Sequence, residues 1–199
     1  GRGPNIRHTW SVCVKKGVGM HRRVQMAGVF WAIMMLSLIG GMKPSYAQLP
    51  GWLETSPQVV GEARFRLFIF DIYHAALFAP DGRYDGAAPY ALRLSYMRDI
   101  SSQTIVDISL DEMRRQGSDS ESRLAEWADW MGQHFPDMQN GDEAMMVALT
   151  NGGMALYHNL VKLGQTDDPA FTDAFFAIWL SDNALKPDLS RQLRGLGKD

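Results

Sequence analysis

A leader-like stretch, Met20 to Gln48 (MHRRVQMAGVFWAIMMLSLIGGMKPSYAQ), decides which residues are available to a fold. His21, Arg22 and Arg23 form a positive start, and Met26 to Ile39 gives a fourteen-residue apolar run. Ser45-Tyr46-Ala47 then puts small residues at the two positions read by a signal peptidase, so cleavage before Gln48 is expected. An uncleaved membrane anchor is the alternative. A spanning helix takes about 20 apolar residues, whereas this run is short and ends in Gly40-Gly41 and Pro44. Export is the expectation, to a periplasmic or secreted location, with no stable membrane span after cleavage.

Setting the leader aside changes the composition. Residues 1–19 hold no methionine and are expected to be sequence upstream of the start at Met20, or an extension. All 22 acidic residues follow Ala47, but seven of the 20 basic ones precede it. The remaining 152 residues therefore carry 13 basic against 22 acidic groups, a net charge of −9. Such a balance argues against nucleic acid as a partner, because phosphate binding needs clustered Lys and Arg. The single cysteine, Cys13, also falls before the cleavage point. A disulfide framework, a thiolate metal site and a cysteine nucleophile are thereby excluded. A chain of this length must build an ordinary core, and one domain over residues 59–199 is expected.

Gln48 to Pro57 reads as a loose lead-in, with two prolines and a glycine. Val59 to Ala79 (VVGEARFRLFIFDIYHAALFA) is rich in branched and aromatic residues, giving one long bent strand or two strands meeting near Asp71. Alternation places Phe65, Leu67 and Ile69 on one face, with Arg64, Arg66, Phe68 and Phe70 on the other. Both faces turn apolar after Arg66, which suggests a central strand. Tyr90 to Met97 is a further strand. Ser101–Gln116 and Ser120–Phe135 carry helical periodicity, the first ending at Gly117 and the second at Pro136. Glu143–Thr150 and Met154–His158 flank Asn151-Gly152-Gly153, a hairpin signal. Asp168 or Asp167 caps a helix with Pro169 at its first turn, and a short helix follows Lys186-Pro187. The order predicts an α+β fold, an antiparallel sheet with helices packed on one face.

Five segments in this order, GEARFR, FDIYHAALFAP, LRLSYMRDI, FPDMQNGDE and DAFFAIWLSDNALKPDLSRQL, resemble the chalcone isomerase-like family, and in particular its bacterial exported branch. The resemblance runs from about Val59 to Leu196. It implies an open-faced β-sandwich, a curved antiparallel sheet with helices on one face and a ligand cleft between them. In the plant enzymes a chalcone closes to a flavanone, helped by a strand arginine, a threonine on the next strand, and a helix tyrosine and asparagine. A guanidinium and fixed donors aimed at an enolate lower such a barrier. Fatty-acid-binding and haem-binding relatives share the scaffold, so the fold alone does not set the function.

On that resemblance Arg64 is the counterpart of the family arginine, with Arg66 the alternative two residues on. Both lie on one strand face, and both could equally be solvated charges at a strand end. The place of the plant threonine, five residues before Tyr73, is Phe68, which donates no hydrogen bond and so weighs against cyclisation. Tyr73 reads as a core or rim residue. Tyr96 and Arg98 share a face at the end of their strand, where they either supply a hydroxyl and a second cation or form an edge pair with Arg98 bridged to Asp99 or to solvent. No residue of the first long helix matches the plant tyrosine and asparagine; Gln103 stands in as a guess.

The remaining candidates are weaker. His74, His134 and His158 lack ligand spacing, so no metal site is expected. No cofactor is expected either, with haem on His74 the one exception considered; no CxxCH is present for covalent attachment. Trp127, Trp130, Phe135, Phe175, Phe176 and Trp179 fall at helical spacing and read as core. The preferred reading is a non-catalytic protein that binds a small apolar acid or phenolic ligand, anchored by Arg64, Arg66, Tyr73, Tyr96 and Arg98. The alternative is an intramolecular lyase of the chalcone–flavanone isomerase type, with Arg64 as the catalytic cation. Oligomeric state is left open.

Overall fold

The computed structural model describes residues 49–55, 57–67, 69–117 and 119–197. The expected leader and Phe68 lie outside the described residues. Among them the elements are α1 (Gly51–Thr55), β1 (Gln58–Leu67), β2 (Phe70–Ala79), β3 (Tyr90–Tyr96), α2 (Ser102–Arg115), α3 (Glu121–His134), β4 (Glu143–Ala148), β5 (Met154–His158), β6 (Val161–Thr166), α4 (Pro169–Leu180) and α5 (Pro187–Leu193). The strands form one six-stranded antiparallel sheet in sequential order, β1-β2-β3-β4-β5-β6. No described helix is long and apolar enough to cross a membrane.

Strict alternation along β2, β3 and β4 gives the sheet two faces. Leu77, Leu92, Leu94 and Met146 point inward to a core shared with Met113 and Met131 of α2 and α3 and with Phe171, Phe175 and Phe176 of α4. Ala76, Phe78, Ala91 and Val147 point outward, where Leu53 of the five-residue α1 joins a second, smaller cluster. The lead-in segment thus contributes a helical turn that covers part of the outer face.

The Val59–Ala79 run is two strands, β1 ending at Leu67 and β2 beginning at Phe70, so they meet near Asp71 as expected. β1 lies at the sheet edge, and the central strand expected after Arg66 is β2, paired on both sides and buried on both faces from Ala75 to Phe78. At the hairpin tip the apolar run stays open, with Leu67 and Ile69 50% and 86% exposed. α5 packs on β1 at Gly61, where a Cβ would collide with the main-chain carbonyls of Gln192 and Leu193. Only glycine admits that approach.

The helix caps follow the sequence. Ser101 and Ser120 each accept a hydrogen bond from the third residue of the helix they open, Thr104 N and Arg123 N. Asp168, rather than Asp167, caps α4 ahead of Pro169 and accepts from Ala170 N and Phe171 N. Its carboxylate also takes Trp127 Nε1 at 3.0 Å, tying α4 to α3.

Candidate functional site

The inner sheet face and the helices do not close fully on each other. Between them lies a cavity of about 480 Å³, within the rough 300–1,000 Å³ range of small-molecule sites. Three positions on its sheet side, Ala63, Ala75 and Ala144, carry only a methyl group, so little side chain rises from the strands there. Ile105 of α2, Phe175 and Trp179 of α4 and Leu189 of α5 face them. Interiors are otherwise packed at crystal-like density, and a void this large, lined almost wholly by hydrocarbon, is suited to an apolar guest. Its exposed lining residues, Leu67, Ile108, Leu185, Asp111, Arg115 and Lys186, mark the mouth.

Few polar groups reach this space, and each has an identifiable origin. Tyr73 and Tyr96 are cross-strand partners on β2 and β3, with ring centroids 5.8 Å apart. Phe65 stacks on Tyr73 at 5.0 Å and fixes its ring. Trp179 Nε1 donates to the Tyr73 hydroxyl at 2.9 Å, so the helix residue read as core also reaches a cavity phenol. Burial pushes both phenols well above the ordinary tyrosine value, and both remain protonated donors at physiological pH.

At the mouth, Glu112 is 5% exposed and works as a structural tie. It accepts from Arg115 Nε at 2.8 Å, Gln116 Nε2 at 2.9 Å and Leu185 N at 3.0 Å, joining α2 to the α4–α5 link. Arg115 donates further to the carbonyl of Asn183. The Arg115 hydrogen bonds hold the Glu112 carboxyl below its usual range.

His158 also lines the cavity, with Nε2 3.1 Å from Asp142 Oδ2. Asp142 accepts from Asn159 Nδ2 and Gln139 N, both at 2.9 Å. These hydrogen bonds, the Asn159 amide foremost, pull Asp142 down to about 2 from 3.8. A depressed carboxyl stabilises the fold fully above its unfolded value, and that contribution disappears as pH falls through the folded one. Urea midpoints measured against pH should therefore drop between about pH 4 and 2. Asp142→Asn should flatten that limb; an unchanged limb would show that the Asp142 cluster does not drive it.

The sequence-selected residues separate into two groups. Tyr73 and Tyr96 line the cavity. Arg64 and Arg66 project from the opposite side of β1 to Ala63, Phe65 and Leu67, and both bind Asp71, Arg66 Nε at 2.5 Å and Arg64 Nη1 at 3.4 Å. Their hydrogen bonds, that of Arg66 first, lower the Asp71 carboxyl. Arg98 lies outside the lining, its guanidinium 4.1 Å over the Phe70 ring. His74 is on the outer side near Glu62, at 4.0 Å, and Gln103 donates to Asp107 on the α2 surface. No group of metal-ligating side chains gathers among the described residues.

An open antiparallel sheet, covered on its inner face by helices around an apolar cavity, defines an α+β domain of the open-faced β-sandwich class. The chain belongs to the chalcone isomerase-like family, whose model matches residues 60–195. Among solved structures, the fatty-acid binding protein of Arabidopsis thaliana is similar, with a TM-score of 0.56 over 77% of this chain and 94% of that one. Sequence identity is 8%, so the likeness is one of fold. No curated protein sequence matches this chain.

Proposed function

We propose that this domain binds a small apolar ligand, a fatty acyl chain or a compound of similar character, in the sheet–helix cavity and does not transform it. The observation that carries the reading is the cavity itself: about 480 Å³ of hydrocarbon-lined space with two protonated phenols inside it. The fold shared with a protein named for fatty-acid binding supports the same class of guest. A chalcone-closing lyase would need a fixed cation beside the developing enolate, and the guanidiniums of Arg64 and Arg66 are engaged by Asp71 on the far side of β1. That placement favours binding over turnover.

The test is titration with N-phenyl-1-naphthylamine, a neutral apolar fluorophore. Saturable binding of one probe per chain, displaced by fatty acyl compounds, is expected. Absence of saturable uptake would overturn the reading.

The leader supports a further part of this proposal, that the domain belongs to a bacterial exported branch and works outside the cytoplasm. N-terminal sequencing of the cell-processed protein should begin at Gln48; a start at Met20 would contradict export by cleavage.

A further inference from the structure

Within this cavity reading, on which the inference rests, we propose that the preferred guest carries a neutral carbonyl group whose oxygen is held by the hydroxyls of Tyr73 and Tyr96. Ketones, esters and aldehydes with an apolar chain would then bind in preference to free carboxylates.

The two phenols have hydrogen-bonding capacity left over. Tyr96 is 6% exposed, lines the cavity, and its hydroxyl has no hydrogen-bond partner among the described residues. Its cross-strand neighbour Tyr73 accepts from Trp179 Nε1, which leaves the phenolic proton of Tyr73 to be donated. Among the described residues, the buried side-chain atoms that lack a partner are all arginine Nε groups, so the Tyr96 hydroxyl opens onto the cavity space, where a guest acceptor can receive its hydrogen bond. A carbonyl oxygen has two lone pairs and no proton, so it can accept from both phenols at once.

Among the described residues, the lysine and arginine groups that line the cavity sit at its mouth. They are Arg115 and Lys186, both exposed, and the His158 ring in the wall is engaged by Asp142 at 3.1 Å. Arg115 is already held by Glu112 at 2.6 Å. The three arginines of β1 and the β3 end lie outside the lining, two on Asp71 and one over Phe70. A carboxylate beside the two tyrosines would be a desolvated anion with two neutral donors and no cation, and burying an unpaired charge is far costlier than burying a carbonyl. The phenols themselves cannot supply the missing charge balance, since they donate only as neutral groups.

Isothermal titration of the full-length protein near neutral pH, with 2-tridecanone and with dodecanoate below its micellar concentration, tests this directly. The ketone should bind at least about tenfold more tightly than the acid, and Tyr96→Phe should weaken the ketone about five- to tenfold while leaving dodecanoate unchanged. Equal or tighter binding of dodecanoate would overturn the proposal and place its head group at the mouth, beside Lys186. So would a ketone affinity untouched by Tyr96→Phe. Should that variant fail to fold, the ketone-to-acid ratio of the parent protein decides alone. Failure of both compounds to bind is a different result, because it removes the cavity reading itself.

Discussion

Ala144→Trp is expected to weaken uptake of N-phenyl-1-naphthylamine by about tenfold or more, with little loss of stability. Ala144 lies on β4, paired to Leu94 on one side and His158 on the other, and its methyl group borders the void. An indole at this position has empty space to enter, so it should avoid the roughly 1–3 kcal/mol penalty of overpacking a filled core. It would occupy the volume a guest needs. Probe titration and a thermal melt on the same sample separate the two effects. Undiminished uptake in a folded variant would mean that the probe binds elsewhere.

Phe171→Ala should have the opposite signature, a large loss of stability. Phe171 is 1% exposed, opens the buried side of α4, and sits 5.5 Å from Trp127, 5.2 Å from Trp130 and 5.7 Å from Phe175. Its ring cements α4 to α3, next to the Asp168 cap that takes Trp127 Nε1. Truncating a buried phenylalanine costs about 3–5 kcal/mol through lost transfer energy and the cavity left behind. Since small domains are stable by only about 5–15 kcal/mol, the urea midpoint should fall by about a fifth or more at constant slope. A change under about 1 kcal/mol would show that the aromatic cluster is not where the stability of the helical layer resides.

Much of this arrangement is legible in the residues. Serine and aspartate caps at Ser101, Ser120 and Asp168 fall where the sequence puts helix starts, and Asn151-Gly152-Gly153 closes the β4–β5 hairpin with Gly152 at positive φ. The start of β6 carries no strong turn signal in the sequence. Its turn consists of Asn159 and Leu160, both at positive φ, and a leucine there is not a residue that advertises a tight turn. Alternation of Val161 and Leu163 was the available signal.

The site was half legible for a reason that lies in the period of a strand. Alternation groups Arg64 with Arg66, and Phe65 with Leu67, but it does not say which group faces the helices. The pairing of Tyr73 with Tyr96 and of Arg64 with His74 fixes that choice, and it depends on register across the β1–β2 hairpin, including the bulge between Phe65 and Arg66. Asp71 was the one local hint, an acid placed where both guanidiniums can reach it. The cavity itself has no sequence signature. It results from alanines on three separate strands, and only the sheet topology brings Ala63, Ala75 and Ala144 under the same helices.

Native mass spectrometry after incubation with a bacterial lipid extract tests the central claim most directly. The parent protein should carry one apolar adduct per chain, absent from Ala144→Trp. No adduct, or an equal adduct in both proteins, would contradict ligand binding in the sheet–helix cavity.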